Sequence, residues 1–178
     1  MHFALKRYLL VFMTACAVMQ YAAAQTRSLG ASFSFSGIGI EYEHALNNSC
    51  FINADARAEM LAFFMNRSDV PGMSASFSCN FILKEWASRN KNSIRFFAGP
   101  GVTVGLTHEF RKDNGMFFGL KGRVGAECWF DRNVALSICL NPILGSHLTI
   151  VDKHIEMRYY TNGLINAILP EIAVKYTF

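Results

Sequence analysis

The chain is poor in charge: Asp, Glu, Lys and Arg make up 17% of its 178 residues, whereas 52% of the residues are hydrophobic. A soluble domain usually carries about a quarter charged residues, so the composition provides more apolar surface than a small core needs. After the first 24 residues no apolar run is long enough for a membrane-spanning helix, which takes about 20 residues. This excludes a helix-bundle membrane protein and leaves a chain long enough for one domain.

A large excess of one charge sign is also lacking. Lys6 and Arg7 precede an apolar stretch, Tyr8 to Val18, and the small residues Ala22-Ala23-Ala24. This order predicts a secretory signal peptide, residues 1–24, which is removed from a mature domain of residues 25–178. A lipoprotein signal ending at Cys16 is the alternative. Without Lys6 and Arg7 the 17 basic residues become 15, against 13 acidic residues, so no nucleic-acid partner is predicted.

Closely spaced cysteine pairs are absent, and no histidine lies at metal-ligand spacing from a cysteine. A zinc site is therefore excluded, and we predict no metal and no cofactor. Four cysteines remain after cleavage, which allows three pairings. Cys79 and Cys128 are predicted to face outward and Cys139 inward, which disfavours a Cys128–Cys139 bridge. We expect mostly free, buried thiols without a redox role.

Apolar residues alternate with small or polar residues in much of the mature chain. The five clearest runs are Ile52–Met60, Ala75–Lys84, Ile94–Thr107, Leu120–Phe130 and Glu171–Phe178. This period of two is typical of strands that show one face to lipid and the other to the interior of a barrel. We predict an all-β fold: a single closed antiparallel up-and-down β-barrel.

The strand count depends on Ser36-Gly37, where the alternation changes phase between residues 29–35 and 38–42. A hairpin there gives eight strands with both chain ends on one side, whereas a bulge gives seven. Bacterial barrels have even strand numbers, so we predict eight. Short turns are expected at Leu46–Ser49, Ala87–Asn92 and Asp131–Asn133, and longer outer connections at Phe63–Pro71, Glu109–Gly115 and His147–Gly163. Pro100, Pro142 and Pro170 are expected to interrupt or bend strands.

The same alternation predicts which charges face the lumen. An eight-stranded barrel has room inside only for its own side chains, so these charges must pair with one another. The alternatives are a salt-bridged core and an ion or proton path, and the first is favoured. The predicted lumenal residues are Glu41, Glu43, Asp55, Arg57, Glu59, Lys84, Arg95, Lys121, Arg123, Glu127, Glu171 and Lys175.

The connection His147–Gly163 is the best candidate for contacts outside the cell, because loops carried by a rigid scaffold commonly bind partners. A solvated loop, or nonspecific contact with lipopolysaccharide head groups, is the alternative. Ile150, Val151 and Ile155 could extend the barrel wall. The candidate contact residues are Asp152, Lys153, His154, Arg158, Tyr159 and Tyr160.

The closing strand resembles the recognition signal of outer-membrane barrels, which end on an aromatic residue preceded by alternating apolar residues. Ile172, Val174, Tyr176 and Phe178 occupy the matching positions. With residues 96–101 and 119–127, the mature chain resembles the small OmpA/OmpX-like outer-membrane barrels, particularly uncharacterised ones from Bacteroidota. The resemblance implies the outer membrane as location, its lipid and lipopolysaccharide as surroundings, and insertion by the outer-membrane assembly machinery.

The resemblance implies no particular activity, and no catalysis is expected. A lipid-modifying barrel enzyme would need a nucleophile and a base at one rim, for which Ser146 and His147 are candidates, but adjacent strand residues point to opposite faces. A secreted or periplasmic lipocalin-like barrel that binds an apolar ligand is the other alternative. It would use the same alternation with the apolar face inward.

Overall fold

A computed structural model describes residues 26–60, 71–87, 92–110, 113–130, 133–151 and 154–178. The predicted signal peptide, Cys16 included, lies outside these residues. No helix in this part of the chain is long and apolar enough to cross a membrane.

Eight strands form a closed antiparallel ring, in the order β1-β2-β3-β4-β5-β6-β7-β10 and back to β1. The predicted fold class and strand number are thereby confirmed. The ring strands are β1 Arg27–Ser34, β2 Gly37–Asn47, β3 Cys50–Glu59, β4 Gly72–Ala87, β5 Ser93–Phe110, β6 Asp113–Phe130, β7 Val134–Leu140 and β10 Glu171–Thr177.

The hairpin between β1 and β2 decides the strand count. Ser34 pairs with Gly37, and the ladder continues from there to Arg27 and His44 without a shift of register. The phase change in the sequence is therefore a tight turn and not a bulge. The start of β1 and the end of β10 lie at the same end of the ring, where Phe178 donates a backbone hydrogen bond to the carbonyl of Arg27. We call this the near end and the opposite one the far end.

Strand β7 continues past Asn141-Pro142 as β8 Ile143–Val151, and the long strand β6 pairs with both pieces. Pro142 lacks the N–H that an uninterrupted ladder would use, although its carbonyl accepts a hydrogen bond from Gly122. Strand β9 His154–Tyr159 pairs back onto β8 and stands last in the sheet order. Most of the predicted connections after Glu109 and His147 are therefore strand, and they lie at the far end of the barrel.

An eleven-residue segment, 160–170, separates β9 from β10 and contains one helical turn, α1 Asn162–Ile165. It lies beside the start of β8: Tyr160 donates its backbone N–H to the carbonyl of Gly145, and Gly163 lies against the backbone of Ile143. Asn162, Gly163 and Asn166 are buried, whereas Leu164 and Ile168 point outward. The break between β7 and β8 and the segment between β9 and β10 thus lie next to each other in the wall.

The ladder orders side chains by face throughout the ring. In β10 the residues Glu171, Ala173, Lys175 and Thr177 are buried, while their alternate neighbours are exposed. Large apolar side chains cover the exterior, for example Phe33 at 58% exposed and Leu120 at 68% exposed. The interior is polar. This is the exterior of a membrane-spanning barrel, which hides its backbone hydrogen bonds within the ladder and offers apolar groups to lipid.

Candidate functional site: the lumenal charge network

Five strands carry the charges inside the barrel, and each projects them by the period of two. The structure buries eleven of the twelve predicted lumenal charges: Glu41, Glu43, Asp55, Arg57, Glu59, Arg95, Lys121, Arg123, Glu127, Glu171 and Lys175. Their strands come from different parts of the sequence, so every cation can reach carboxylates across the lumen. We call this set the lumenal network.

Lys175 occupies the middle of the lumenal network. Its Nζ lies 2.8 Å from Oε2 of Glu43, 2.7 Å from Oε1 of Glu127 and 3.6 Å from Oε1 of Glu41. The guanidinium of Arg95 contacts Glu43 and Glu127 as well. Two cations therefore share two carboxylates, and these contacts join strands β2, β5, β6 and β10.

Glu41 is held mainly by Arg123, whose Nη2 lies 2.7 Å from Oε2 of Glu41. The side-chain amide of Asn53 donates to the same oxygen at 3.1 Å. Since Arg123 is 1% exposed, this pair is desolvated. Charge-assisted hydrogen bonds of this kind are stronger than neutral ones.

Three further contacts lie farther towards the far end. Lys121 Nζ is 2.6 Å from Oδ2 of Asp55, and Arg57 pairs with Glu171 across the lumen. The hydroxyl of Ser74 donates to Glu59 at 2.6 Å. The buried set holds six carboxylates and five cations.

Lys84 is the predicted member that the structure places elsewhere. It is exposed, and its Nζ lies 4.4 Å from the centre of the Trp86 ring. The β4–β5 register shifts between Ile82 and Lys84, and one extra residue reverses the faces of all that follow. The prediction that Lys84 faces the lumen is wrong for this reason.

Aromatic side chains lie on either side of the lumenal network. Towards the near end, Phe51 and Phe97 meet edge to face with ring centres 5.3 Å apart and pack with Cys139. The guanidinium of Arg95 lies 4.4 Å from the centre of the Phe51 ring, a cation–π contact. The cluster therefore packs directly against cations of the lumenal network, since the centre of the Phe97 ring also lies 5.5 Å from the guanidinium carbon of Arg123. We call Phe51, Phe97 and Cys139 the near cluster.

Towards the far end, Phe117 and Tyr160 stack with ring centres 4.2 Å apart, and Ile143 packs against them. We call these three residues the far cluster. The predicted role of Tyr160 as an outer contact residue is wrong, because its side chain is 1% exposed and packed inside. The chain turns inward where β9 ends.

The other predicted outer residues belong to the β8–β9 hairpin or its turn. Tyr159 is exposed, and Arg158 Nη2 lies 2.5 Å from Oε2 of Glu156. His154 begins β9. Asp152, Lys153 and the His154 side chain lie outside the described residues.

Ser146 and His147 occupy opposite faces of β8. His147 is buried, and its Nδ1 lies 3.2 Å from the Thr149 hydroxyl oxygen, whereas Ser146 is half-buried in the outward phase with Leu144. This geometry does not form a serine–histidine pair. Within the described ranges, no group of three or more His, Cys, Asp or Glu residues could hold a metal ion.

Sequence reasoning missed the aromatic members of the two clusters. The sequence did contain a signal for two of them, because residues two apart on a strand face the same side. Phe97 follows the inward residue Arg95 by two positions, and Phe117 precedes Gly119 of the inward phase by two. A large aromatic residue in the lumenal phase of a small barrel indicates a packed interior. Tyr160 has no such signal, because it follows the end of its strand.

No protein-family model matches the chain, and a search of curated proteins finds no match. Solved structures of similar fold include a major outer membrane protein from Thermus thermophilus, at 9% identity and a TM-score of 0.49, covering 87% of this chain and 100% of that chain. The N-terminal β-barrel domain of Pseudomonas aeruginosa OprF has 11% identity and a TM-score of 0.48, covering 86% and 96%. Yersinia pestis outer membrane protein Ail has 11% identity and a TM-score of 0.35, covering 87% and 100%.

These similarities are too distant to transfer a function, and the fold is established by the strand ladder of the chain itself. The direction of the alternation is decisive between the two kinds of barrel that the sequence allowed. A lipocalin-like barrel turns its apolar face inward, whereas here Ile40, Phe77 and Val102 are exposed and the charges are buried. The lipocalin-like alternative is therefore contradicted.

Proposed function

We propose that the protein is a β-barrel of the outer membrane whose lumen is sealed by its own charges, and that it acts structurally or through its far-end hairpin, without catalysis. The observation that carries the proposal is the lumenal network between its two aromatic clusters. The apolar exterior of the barrel matches the hydrocarbon interior of a bilayer.

The network supports a sealed lumen on physical grounds. An isolated charge in a low-dielectric interior is very costly, whereas paired and hydrogen-bonded charges are tolerated. Lys175 and Arg95 each contact more than one carboxylate, so a passing ion would have to replace several contacts at once. The near and far clusters would also have to separate.

The β8–β9 hairpin is the part of the chain best placed to meet another molecule. It lies level with the far-end part of the β5–β6 hairpin, since Thr149 pairs with Gly115, and it presents Glu156, Arg158 and Tyr159 on a described strand. Charged and aromatic groups at the far end can contact the charged head groups of lipopolysaccharide. We propose lipopolysaccharide as the partner of this surface. The other end of the molecule suits assembly: Ile172, Val174, Tyr176 and Phe178 form one outward row on β10, which we propose the assembly machinery reads.

The first test is location and conductance. Cells that express the full chain are fractionated, and the outer membrane is analysed on a denaturing gel with and without boiling. We expect an outer-membrane protein that migrates faster unboiled, and purified protein that gives no stable conductance steps in planar bilayers. A chain lacking residues 1–24 should remain in the cytoplasm. Recovery of the exported protein as a soluble species, or regular single-channel steps, would contradict the proposal.

The assembly signal is tested by two substitutions of similarly exposed apolar residues, Phe178→Ser and Ile168→Ser. Phe178 is 68% exposed and Ile168 is 76% exposed, so both lose a comparable contact with lipid. We expect Phe178→Ser to reduce the amount of heat-modifiable barrel in the outer membrane several-fold and Ile168→Ser to leave it close to wild type. Equal yields for the two variants would argue against a recognition role for the terminal row.

A further inference from the structure

The sulfur atoms of Cys50 and Cys79 lie 3.4 Å apart. Cys50 is the first residue of β3, and Cys79 belongs to β4. In the ladder Ile52 pairs with Cys79 and Cys50 pairs with Phe81, so the two cysteines are diagonal neighbours on the outward face. Diagonal positions of adjacent strands are usually too far apart for short side chains, so the close approach of these two sulfur atoms is a particular feature of this hairpin.

We propose that Cys50 and Cys79 are a site of covalent modification, where a disulfide bond joins β3 to β4 in the exported protein. Bonded sulfur atoms lie about 2 Å apart, so forming the bond requires the two sulfur atoms to move closer than the 3.4 Å seen here. The inference goes beyond the proposed function but rests on export, because disulfides persist in the periplasm and are rare in the cytoplasm.

The reaction is thiol–disulfide exchange with a periplasmic oxidoreductase that carries a reactive disulfide. The thiolate of one cysteine attacks that disulfide, forms a mixed disulfide and releases one oxidoreductase thiol. The second cysteine then attacks the mixed disulfide, which forms the Cys50–Cys79 bond and releases the other thiol. Two electrons and two hydrogens pass to the oxidoreductase, and one sulfur–sulfur bond breaks for each one formed.

The other two described cysteines are placed differently. Cys139 faces inward, with its sulfur 3.7 Å from Glu171 and 3.6 Å from the Asn141 amide. Cys128 faces outward on β6 and pairs with Ile94 of β5, so strand β5 separates it from β4. Of the three possible pairings, only the one that joins Cys50 to Cys79 brings two sulfur atoms together without moving strands.

The bridge would add a covalent link at the near end of the β3–β4 hairpin, whose paired strands are joined through the chain at the far end by residues 60–71. A disulfide stabilises mainly by restricting the unfolded chain. Here it would also keep the β3–β4 register before the remaining strands arrive, since it spans the hairpin without involving any other strand.

The test is alkylation of the exported full chain. Outer membranes are precipitated with acid to stop thiol exchange, redissolved in denaturant at neutral pH with N-ethylmaleimide, and analysed by intact mass and peptide mapping, with and without prior reduction. We expect two alkylated cysteines, Cys128 and Cys139, before reduction and four afterwards, with a peptide that joins Cys50 to Cys79. Cys50→Ser and Cys79→Ser should each give three alkylated cysteines without reduction, whereas Cys128→Ser should retain the bridge.

Four alkylated cysteines in the unreduced wild-type chain would overturn the inference, as would a bridge to Cys128 or Cys139. A second arm separates this result from the proposed function: residues 25–178, which carry the same four cysteines as the exported chain, are made without export and refolded in detergent with a glutathione redox buffer. Bridge formation there, together with an exported protein that is not found in the outer membrane, would support the cysteine site and contradict the proposed function. A refolded barrel whose thiols all remain reactive would contradict the site wherever the protein resides.

Discussion

The two sides of the barrel wall are built differently. From β2 to β6 the wall is a hydrogen-bonded ladder, with β5 and β6 paired over 18-residue strands. On the other side strand β7 is broken at Asn141-Pro142, and segment 160–170 separates β9 from β10. We call these the continuous and the interrupted wall. Where backbone ladder bonds are missing in the interrupted wall, the side chains of the far cluster pack together instead.

The comparison shows what the lumenal network does for the fold. Lys175 and Glu171 lie on the interrupted wall, and their partners Glu43 and Arg57 lie on the continuous wall. Ion pairs therefore cross the lumen and tie the two walls together. Hydrogen bonds fix neighbouring strands, whereas these charges fix strands that are not neighbours.

We expect the largest loss of unfolding free energy when an ion pair that links the two walls is removed. Lys175→Met would leave three carboxylates with one fewer cation, and breaking a buried ion pair costs about 3–5 kcal/mol of unfolding free energy. Lys84→Met is the matched control, because its amine is exposed against Trp86 and such contacts are worth about 0.5–1 kcal/mol. Urea unfolding in detergent micelles, followed by tryptophan fluorescence, measures both. Similar losses would mean that the lumenal charges do not hold the walls together.

A second comparison uses two glycines. A methyl group at Gly99 would fall well inside contact distance of the backbone of Cys79 and Asn80, whereas one at Gly122 would meet only Pro142, at 3.0 Å from its Cγ. Overpacking costs about 1–3 kcal/mol, so Gly99→Ala should destabilise the barrel by that amount and Gly122→Ala by less. The same unfolding measurement checks this. The reverse order would show that the β4–β5 ladder around Gly99 yields more readily than the contact of β6 with Pro142 of the interrupted wall.

A third test separates local from global stability. Tyr160→Leu keeps an apolar group but removes the stacking on Phe117, and aromatic pairs contribute about 0.5–1.5 kcal/mol beyond their buried area. We expect faster proteolysis within segment 160–170 and little change in barrel unfolding. Tyr159→Leu, at an exposed neighbouring position, should change neither. Loss of the whole barrel in Tyr160→Leu would mean that the far cluster supports the ring as a whole.

We expect the smallest loss of unfolding free energy from substitutions in β9, which is not one of the eight ring strands. Arg158 and Glu156 form an ion pair whose side chains are 58% and 42% exposed, and exposed pairs contribute about 0–1 kcal/mol. Arg158→Ala should therefore unfold within about 1 kcal/mol of wild type. A double-mutant cycle with Glu156→Ala gives the coupling energy. A coupling well above this range would assign the hairpin a structural role comparable to that of the lumenal network.

The continuous wall was the more predictable one, because a period of two carries face information along a whole strand. Glu41 and Glu43, or Lys121 and Arg123, could be placed inside by parity without knowing their partners. Lys84 was misplaced because the bulge before it leaves no clear mark in the sequence. A single unrecognised extra residue in a strand reverses the predicted face of every residue after it.

The interrupted wall and the pairing of charges could not be derived in the same way. Pro142 and Pro170 signalled an irregularity, but which residues fill it depends on contacts between distant segments, such as Phe117 with Tyr160. Likewise Lys175 and Glu43 are 132 residues apart in sequence. Which carboxylate a lumenal cation selects is decided by strand order and tilt, and neither is local information.

The seam between β1 and β10 sets the order of events during biogenesis. Seven residue pairs join the first strand of the ring to the last, so the cylinder has no complete form until nearly the whole chain is available. Before that moment the free edges of β1 and β7 are open to mispairing, the hazard of any exposed strand edge. Loops between such distant segments also close slowly. On the proposed route to the outer membrane, we therefore expect the chain to cross the periplasm with both edges open and to need protection from aggregation there.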